Sequence, residues 1–174
     1  MPSKEFGNKS GSIIEINGIL KNFEKLDQDK KIDILGELVK SIKINARNAV
    51  PVSVFDNKKL SIFEALSKYM KENLEMRFVE IASMLKRSDK TIWVTYHNSL
   101  RKMPKKFEGL DCDILVPLNH FSNKNLTMFE SLAIYLKDYG LTNHKIAVML
   151  NRDDRTIWST LHRATKKRKE NAKE

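Results

Sequence analysis

The side chains best suited to chemistry in this sequence lie in two matching clusters of basic, polar and aromatic residues. The first cluster, Arg87–Trp93, reads Arg-Ser-Asp-Lys-Thr-Ile-Trp, and the second, Arg152–Trp158, reads Arg-Asp-Asp-Arg-Thr-Ile-Trp. Arginine and lysine donate hydrogen bonds to phosphates and to the acceptor edge of guanine. The chain also has 32 Lys and Arg against 22 Asp and Glu, a net charge of +10. These features indicate non-covalent recognition of a polyanion.

Both clusters belong to an internal repeat. Val50–Lys71 aligns with Val116–Lys137, 66 positions later, and 11 of the 22 aligned residues are identical. After a gap of one residue, Ile81–His97 aligns with Ile146–His162, with 11 of 17 identical. Duplication of a core explains the matched apolar residues, but it does not explain matched polar residues. Those pairs are Arg87 and Arg152, Asp89 and Asp154, and His97 and His162.

The first part of each copy has the pattern of an amphipathic helix. In the first copy, apolar residues recur every three or four positions over Leu60–Met70. Ser61 precedes Glu64 by three residues, and Thr127 precedes Glu130 by the same interval. This is the spacing of a capping box, which fixes the start of a helix.

The second part of each copy has the pattern of two further helices. A short helix is expected to bring Ala82, or Ala147 in the second copy, close to the helix that follows. In the second copy, Thr142 or Asn143 is the candidate cap of this short helix. A turn of three or four residues then leads to a longer helix capped by Ser88 or Asp153. A short helix, a tight turn and a longer helix that ends in basic residues form the plan of a helix-turn-helix unit.

The sequence therefore predicts an all-α fold, with an N-terminal helical hairpin followed by two repeated small helix-turn-helix units. Six Gly and four Pro are too few for the many turns of an all-β fold. The predicted segments are an N-terminal helical segment (1–48), a first unit (50–103), a linker (104–115), a second unit (116–169) and a tail (170–174).

The N-terminal segment has two amphipathic patterns separated by a break at Asp27–Asp29. Their apolar residues are Ile13, Ile16, Ile19, Leu20, Phe23 and Leu26, and then Ile32, Leu35, Leu38, Val39 and Ile42. Such a hairpin has more apolar surface than two helices bury alone. It is expected either to pack on the first unit or to form a homodimer, and the sequence leaves both open.

The segment Thr156–Lys169, TIWSTLHRATKKRK, resembles the end of region 4 of bacterial sigma factors, especially the extracytoplasmic-function class. Lys145–Leu150 is similar to the supporting helix of that family, whose pattern LuxR-type regulators share. The resemblance covers roughly 40 residues in each copy. Trp93 and Trp158 depart from it, because sigma factors usually carry a polar or basic residue there. Since nothing resembles region 2, the resemblance implies a DNA-binding regulator with two such units and not a complete sigma factor.

A recognition helix lies in the major groove and presents its N-terminal half to base edges. With Ile92 and Ile157 facing inward, the candidates for reading bases are Lys90, Trp93, Val94 and His97, with Arg155, Trp158, Ser159, His162 and Arg163 in the second copy. The candidates for phosphate contacts are Arg87, Thr91, Arg101, Lys102, Lys105 and Lys106, with Arg152, Thr156, Lys166, Lys167 and Arg168 in the second copy.

Each candidate also has a structural interpretation. Asp89 and Asp154 could simply favour the positive end of a helix dipole. Both Trp residues could pack between helices or units, because Trp carries a large buried area. The two His residues could be ordinary surface residues, and the basic C-terminus could be a solvated tail.

The predicted function is sequence-specific binding of double-stranded DNA as a cytoplasmic, nucleoid-associated transcription regulator, without metal or cofactor. The alternative is a protein-interaction module that binds RNA polymerase or another transcription component. An enzyme is not expected, because there is no phosphate-binding glycine loop, and the single Cys112 lies between two carboxylates that disfavour its thiolate. No apolar stretch reaches the roughly 18 residues of a membrane span.

The tandem arrangement also predicts the size of the DNA site. Two recognition helices one helical turn apart would cover roughly 15–25 base pairs. Apolar residues in and beyond the linker favour a fixed relative orientation of the two units. The half-sites could be direct repeats, or inverted repeats if the units pack as a pseudo-dimer.

Overall fold

The computed structural model describes residue 18, residues 20–110 and residues 113–171, with the backbone alone for residues 38–47 and 171. Two compact units divide the chain, Met1–Ile44 and Asn45–Glu174. The prediction of a mostly α-helical fold is confirmed. The structure also contains one short two-stranded sheet that was not predicted. The helices are α1 (Gln28–Arg47), α2 (Ile62–Glu72), α3 (Phe78–Leu85), α4 (Asp89–Lys102), α5 (Met128–Asp138), α6 (Asn143–Met149) and α7 (Asp154–Asn171). Strands β1 (Ala49–Pro51) and β2 (Leu115–Pro117) each lead into a 3₁₀ helix, η1 (Val52–Phe55) and η2 (Leu118–Ser122).

The N-terminal unit contains the predicted break between two helices, slightly earlier than the sequence indicated. Residues 20–24 are helical, and α1 begins at Gln28 because the Asp27 carboxylate accepts a hydrogen bond from the Lys30 amide at 3.0 Å. Leu20, Ile32 and Leu35 are 52%, 61% and 50% exposed. The predicted apolar residues Ile13, Ile16 and Ile19 lie outside the described residues, as do Asp111, Cys112 and the side chains of Leu38, Val39 and Ile42.

Both predicted capping boxes are present. In α2 the Ser61 hydroxyl accepts from the Glu64 amide at 3.2 Å, and Glu64 Oε2 accepts from the Ser61 amide at 2.8 Å. In α5 the corresponding distances between Thr127 and Glu130 are 3.1 and 2.8 Å. Of the two predicted cap candidates for α6, the side chain of Thr142 forms the cap, and Asn143 is the first helical residue. The repeated spacing in the sequence therefore fixes the same helix starts in both copies.

The turn between the second and third helices is the same in both repeats. Lys86 and Asn151 adopt left-handed backbone conformations, with φ of 51° and 52°. The next amides, of Arg87 and Arg152, donate to the carbonyl oxygens of Ala82 and Ala147, both at 2.9 Å. This hydrogen bond closes α3 and α6 and directs the chain into α4 and α7. Because Ala82 and Ala147 are only 3% exposed, the paired helices approach closely.

Repeat 1 (residues 49–103) and repeat 2 (residues 115–169) meet through the small antiparallel sheet. Val50 pairs with Val116, which is its own equivalent in the repeat. The flanking hydrogen bonds are equivalent as well, with the Val52 amide donating to Ile114 at 3.0 Å and the Leu118 amide donating to Asn48 at 2.8 Å. Antiparallel pairing of equivalent residues requires a local two-fold axis, so the repeats form a pseudo-dimer.

The core continues across this axis. Phe55 and its equivalent Phe121 lie 6.1 Å apart between ring centroids, and α2 packs against α5. The sequence predicted one apolar face for α2, but Ile62–Met70 is buried on nearly all sides, including Lys68. The extra burial arises because α2 contacts α3, α4 and α5 together. Among the described helices, none is both long and apolar enough to cross a membrane.

The two halves depart from exact symmetry at one place. Helix α3 of repeat 1 packs closely against η2 of repeat 2. The equivalent pair, α6 and η1, instead lines a pocket of about 530 Å³ that includes Val52, Leu141, Val148 and Met149. The two repeats therefore match closely at the sheet and differ where the second helix of one repeat meets the 3₁₀ helix of the other.

Candidate nucleic-acid interface

Helices α4 and α7 are the third helices of their units and present equivalent faces to solvent. Ile92 and Ile157 are fully buried, as the sequence predicted. Ser99 and Ala164, seven residues later on the same inward face, are fully buried as well. The opposite face carries the predicted base-reading candidates. Exposed there are Lys90, Trp93, Val94, Arg155, Trp158, His162 and Arg163, while His97 and Ser159 are partly exposed. Near the start of α4, Thr91 is exposed, and near the start of α7, Thr156 is partly exposed.

The two Trp residues are surface residues and not buried packing residues. Trp93 is 51% exposed and Trp158 is 60% exposed. Each stacks on the His one turn later, with centroid distances of 3.9 Å for Trp93–His97 and 5.3 Å for Trp158–His162. His97 Nδ1 lies 2.8 Å from the Trp93 carbonyl oxygen, which can only accept, so the ring donates there and its Nε2 remains for an outside partner. The stacks give each helix a planar, partly rigid polar–aromatic surface.

Asp89 and Asp154 occupy the first turn of their helices, where a negative charge is favourable. In repeat 2, Asp154 Oδ2 also lies 3.1 Å from His144 Nδ1 on α6. Repeat 1 has Val79, 62% exposed, at the position equivalent to His144. The dipole interpretation of these aspartates therefore fits both repeats, and the histidine contact is specific to repeat 2.

Arg87 and Arg152, predicted to contact phosphate, hold the two repeats together. Arg87 Nη2 donates to the carbonyl oxygens of Asn123 and Leu126 in repeat 2, at 3.3 and 3.2 Å. Arg152 Nη2 donates to the carbonyl of Leu60 in repeat 1, at 3.2 Å. Leu60 and Leu126 are themselves equivalent, so these contacts obey the pseudo-two-fold axis. The sequence contained the matched pair of arginines but gave no sign that their partners lie in the other repeat.

Lys102 and Lys167, also predicted to contact phosphate, form equivalent salt bridges. Lys102 Nζ donates to both oxygens of Glu64 at 2.7 and 2.8 Å, and Lys167 Nζ donates to Glu130 at 3.0 and 2.8 Å. Burial alone would raise the pKa of each carboxyl, but hydrogen bonds from the lysine and from the capping-box residue outweigh it and lower the pKa. These lysines connect the last turns of α4 and α7 to the starts of α2 and α5.

The remaining phosphate candidates lie at the surface. Arg101, Lys105, Lys106, Lys166 and Arg168 are exposed. Arg101 contacts the Asn98 side chain, Lys166 lies 4.0 Å from Glu170, and Arg168 lies 3.4 Å from Asp138. Exposed ion pairs of this kind are weak and exchange readily with other partners. These residues keep their capacity to contact an external anion.

Sequence analysis missed one group of lysines near the starts of α4 and α7. Lys58 and Lys59 of repeat 1 line a cleft of about 870 Å³ with Arg152, Asp153 and Asp154 of repeat 2. Lys124, the equivalent of Lys58, lines a cleft of about 740 Å³ with Ser88 and Asp89 of repeat 1. Helices α4 and α7 therefore each begin beside a lysine of the other repeat. The identical Asn-Lys pairs at 57–58 and 123–124 were the available signal, because matched polar residues stand out in the alignment.

In the part of the chain that the structure describes, no group of three or more His, Cys, Asp or Glu residues is arranged to hold a metal ion. The arrangement that is present offers exposed hydrogen-bond donors, planar surfaces and positive charge on two equivalent helices. No protein-family model, curated protein or solved structure matches this chain.

Proposed function

We propose that the protein binds double-stranded DNA in a sequence-specific manner, inserting α4 and α7 into the major groove, and that it regulates transcription. It would act in the cytoplasm on the nucleoid. The observation that carries this proposal is the repetition of one exposed face on two helix-turn-helix units. Lys90 and Arg155 occupy the same position on that face, one residue after the helix start. Duplicated donors at this place suit a protein that reads two base sequences.

The contacts divide into roles. Arg155 is suited to bidentate contact with guanine, and Lys90 to a single contact with guanine or phosphate. Val94 and Ser159, and Asn98 and Arg163, differ between the repeats and would give the two half-sites different sequences. Arg87, Arg152, Lys102 and Lys167 support the proposal indirectly, since they position the helices and are not counted among the DNA contacts.

The decisive test is selection of bound sequences from random duplex DNA, followed by titration with the selected duplex and a scrambled one. We expect the double change K90A/R155A to lose most of the preference, because each good base contact contributes about 1–3 kcal/mol of discrimination. The matched control is K21A/K25A, which removes the same charge from exposed residues of the N-terminal unit. A preference that survives K90A/R155A would show that another face reads the bases.

A second measurement separates DNA from the alternative partner. Exposed Trp93 and Trp158 would also suit a protein-interaction module that binds RNA polymerase or another transcription component, since Trp is common at interface centres. Phosphate contacts give a log–log slope of affinity against salt of about −0.9 for each phosphate neutralised. We expect R101A/K166A to weaken binding to all duplexes and to flatten this slope. If no salt-dependent binding to duplex DNA is detected, the protein-interaction module is the better explanation.

A further inference from the structure

The pseudo-two-fold axis determines how two half-sites must be oriented if both recognition helices contact one duplex. Four observations define the axis. They are the pairing of Val50 with Val116, the flanking hydrogen bonds donated by the amides of Val52 and Leu118, the Phe55–Phe121 contact, and the crossed arginine contacts. The strand pairing and the Phe contact join a residue to its own equivalent, and the other two observations are pairs of equivalent contacts with the repeats exchanged. None would survive if the repeats were related by a simple translation.

The orientation of the half-sites follows from this symmetry. Two equivalent units that dock in the same way carry their half-sites with them, so a two-fold axis between the units also relates the half-sites. In a straight duplex such an axis runs perpendicular to the helix and exchanges the two strands. Direct repeats would instead require a translation along the duplex, with no exchange of strands.

The relative orientation of the units is fixed by more than the sheet. Each recognition helix starts within a cleft shared with the other repeat, with Lys58 beside α7 and Lys124 beside α4. A third cleft, of about 640 Å³, contains Arg87 and Arg152 together. Arg87 and Arg152 each stand two residues before the start of their helix, so both helices begin at the same central cleft.

The reading faces are equivalent in position but not identical in sequence. Trp93 matches Trp158 and His97 matches His162, whereas three positions differ. The differing pairs are Lys90 and Arg155, Val94 and Ser159, and Asn98 and Arg163. Bases contacted by the shared residues should be the same in both half-sites, and bases contacted by the others should differ.

We infer that the DNA target is an imperfect inverted repeat, which a single chain reads as a repressor dimer reads a palindrome. This inference rests on the proposed DNA-binding function and adds the symmetry of the target to it. The mismatched positions of the repeat are assigned to the three residue pairs that differ.

The test starts with selection of the full-length protein on random duplexes of about 30 base pairs, longer than the roughly 15–25 base pairs of two half-sites one turn apart. We expect one motif with two related halves in inverted orientation at one spacing. A motif of direct repeats, a single half-site, or halves that tolerate a five-base-pair insertion would overturn the inference and leave the DNA-binding function standing. The absence of any enriched motif would instead remove the DNA-binding function and the inference together.

A designed variant tests the assignment of the asymmetry. K90R/V94S/N98R gives repeat 1 the three reading residues of repeat 2. We expect it to bind a perfect palindrome, built from the half-site of repeat 2, about five- to a hundredfold more tightly than the parent does, the range of one improved base contact. The reciprocal variant R155K/S159V/R163N should prefer the palindrome of the other half-site. If both variants keep the asymmetric motif of the parent, the three pairs do not determine the asymmetry, and the inference is wrong.

Discussion

The two repeats share a backbone plan, but the side chains packed beside α4 in repeat 1 differ in polarity from those packed beside α7 in repeat 2. In repeat 1, Lys68 of α2 is completely buried, and its ammonium group donates to Glu72 Oε1 at 2.7 Å. The Tyr96 hydroxyl of α4 donates to the same oxygen at 3.3 Å, and burial together with this carboxylate raises the pKa of Tyr96. Repeat 1 therefore contains a polar triad at a helix–helix contact, built around the fully buried Lys68 with the partly buried Glu72 and Tyr96.

Repeat 2 has an apolar cluster in the same place. Ile134 stands where repeat 1 has Lys68, Leu161 replaces Tyr96, and Ala164 replaces Ser99. Ile134 and Ala164 are buried with Leu126, and Leu161 packs against them. Asp138, the equivalent of Glu72, has moved to the surface and faces Arg168.

The difference shows that the fold depends on the shape and position of these side chains and not on their polarity. A buried ion pair costs desolvation energy that its mutual attraction only roughly offsets, so an apolar set of similar volume is an equivalent solution. Removing only one partner of such a pair is destabilising, because the remaining charge stays buried without its partner. Five predictions test this comparison between the repeats.

The largest effect should come from removing one member of the triad. We expect E72A to lower the free energy of unfolding by about 3–5 kcal/mol, because Lys68 is left buried without its carboxylate. The matched change in repeat 2, D138A, removes only an exposed pair and should cost about 0–1 kcal/mol. Urea unfolding followed by circular dichroism measures both. Equal losses in the two repeats would show that removal of Glu72 does not leave Lys68 as a buried, unpaired charge.

The complementary change transplants the apolar solution. K68I/E72A/Y96L gives repeat 1 the Ile and Leu of repeat 2 and removes the carboxylate together with its lysine, because repeat 1 has Met103 at the position of Arg168, which faces Asp138. We expect its free energy of unfolding to equal or exceed that of the parent, since replacement of a whole buried ion pair is often neutral or stabilising by about 1–4 kcal/mol. A loss as large as that of E72A would contradict the equivalence of the two solutions.

The next effect concerns the crossed arginines. R87A removes donors to two carbonyl groups of repeat 2, whereas R152A removes a donor to one carbonyl of repeat 1. Hydrogen bonds to charged groups contribute about 1.5–3 kcal/mol, so we expect a loss in that range for R87A and a smaller one for R152A. Thermal unfolding of the two variants, with R101A as an exposed control, orders them. The reverse order would mean that the Leu60 contact is the stronger anchor.

A third effect depends on pH. The pKa values of Glu64 and Glu130 lie below their ordinary value of 4.5 in the folded protein, so their contribution is complete above about pH 4.5 and is lost as the pH falls through the lowered pKa. We expect E64Q and E130Q to be less stable than the parent at pH 7, by about 1 kcal/mol each, and to converge with it once the pH has fallen below the lowered pKa values of the two carboxyl groups. E130Q should show the larger gap, because Glu130 is the more buried, at 3% against 9% side-chain exposure.

The control for the pH experiment is E24Q/E108Q, which removes two exposed carboxyl groups. This variant should follow the parent at every pH. Parallel curves for E64Q, E130Q and the parent down to a pH below these lowered pKa values would rule out the lysine bridges as the source of acid sensitivity.

The smallest effect concerns the turn. Lys86 and Asn151 share a left-handed conformation, which Asn tolerates better than Lys. We expect K86N to raise the free energy of unfolding by up to about 1 kcal/mol and N151K to lower it by a similar amount. The melting temperatures of the two variants should move in opposite directions. Shifts of the same sign would show that side-chain contacts, and not the backbone, decide the residue at this turn.

Local features of the fold could be predicted from sequence because they depend on neighbouring residues. The capping boxes at Ser61 and Thr127 require only a spacing of three, and the buried positions Ile92 and Ile157 follow from helical periodicity. The sheet could not be foreseen, because three-residue strands carry almost no pattern. Their pairing depends on residues 66 positions apart.

The candidate surface was predictable only in part for the same reason. Exposure of Lys90 and Arg155 follows from the inward direction of the neighbouring Ile residues. The partner of Arg87 could not be found in this way, because a backbone carbonyl in the other repeat has no sequence signature. Lys68 was equally hidden, since a lysine in an otherwise amphipathic helix normally faces water.

The self-pairing of Val50 with Val116 also changes how this assembly responds to dilution and to mutation. In a homodimer, the subunits separate below their dissociation constant, and every substitution enters both sides of the axis at once. Here the two halves are held in one chain at an effective concentration that dilution leaves unchanged. Each half can also be altered alone, as the buried Lys68 and Ile134 illustrate, so the molecule combines the geometry of a dimer with two halves whose residues vary independently.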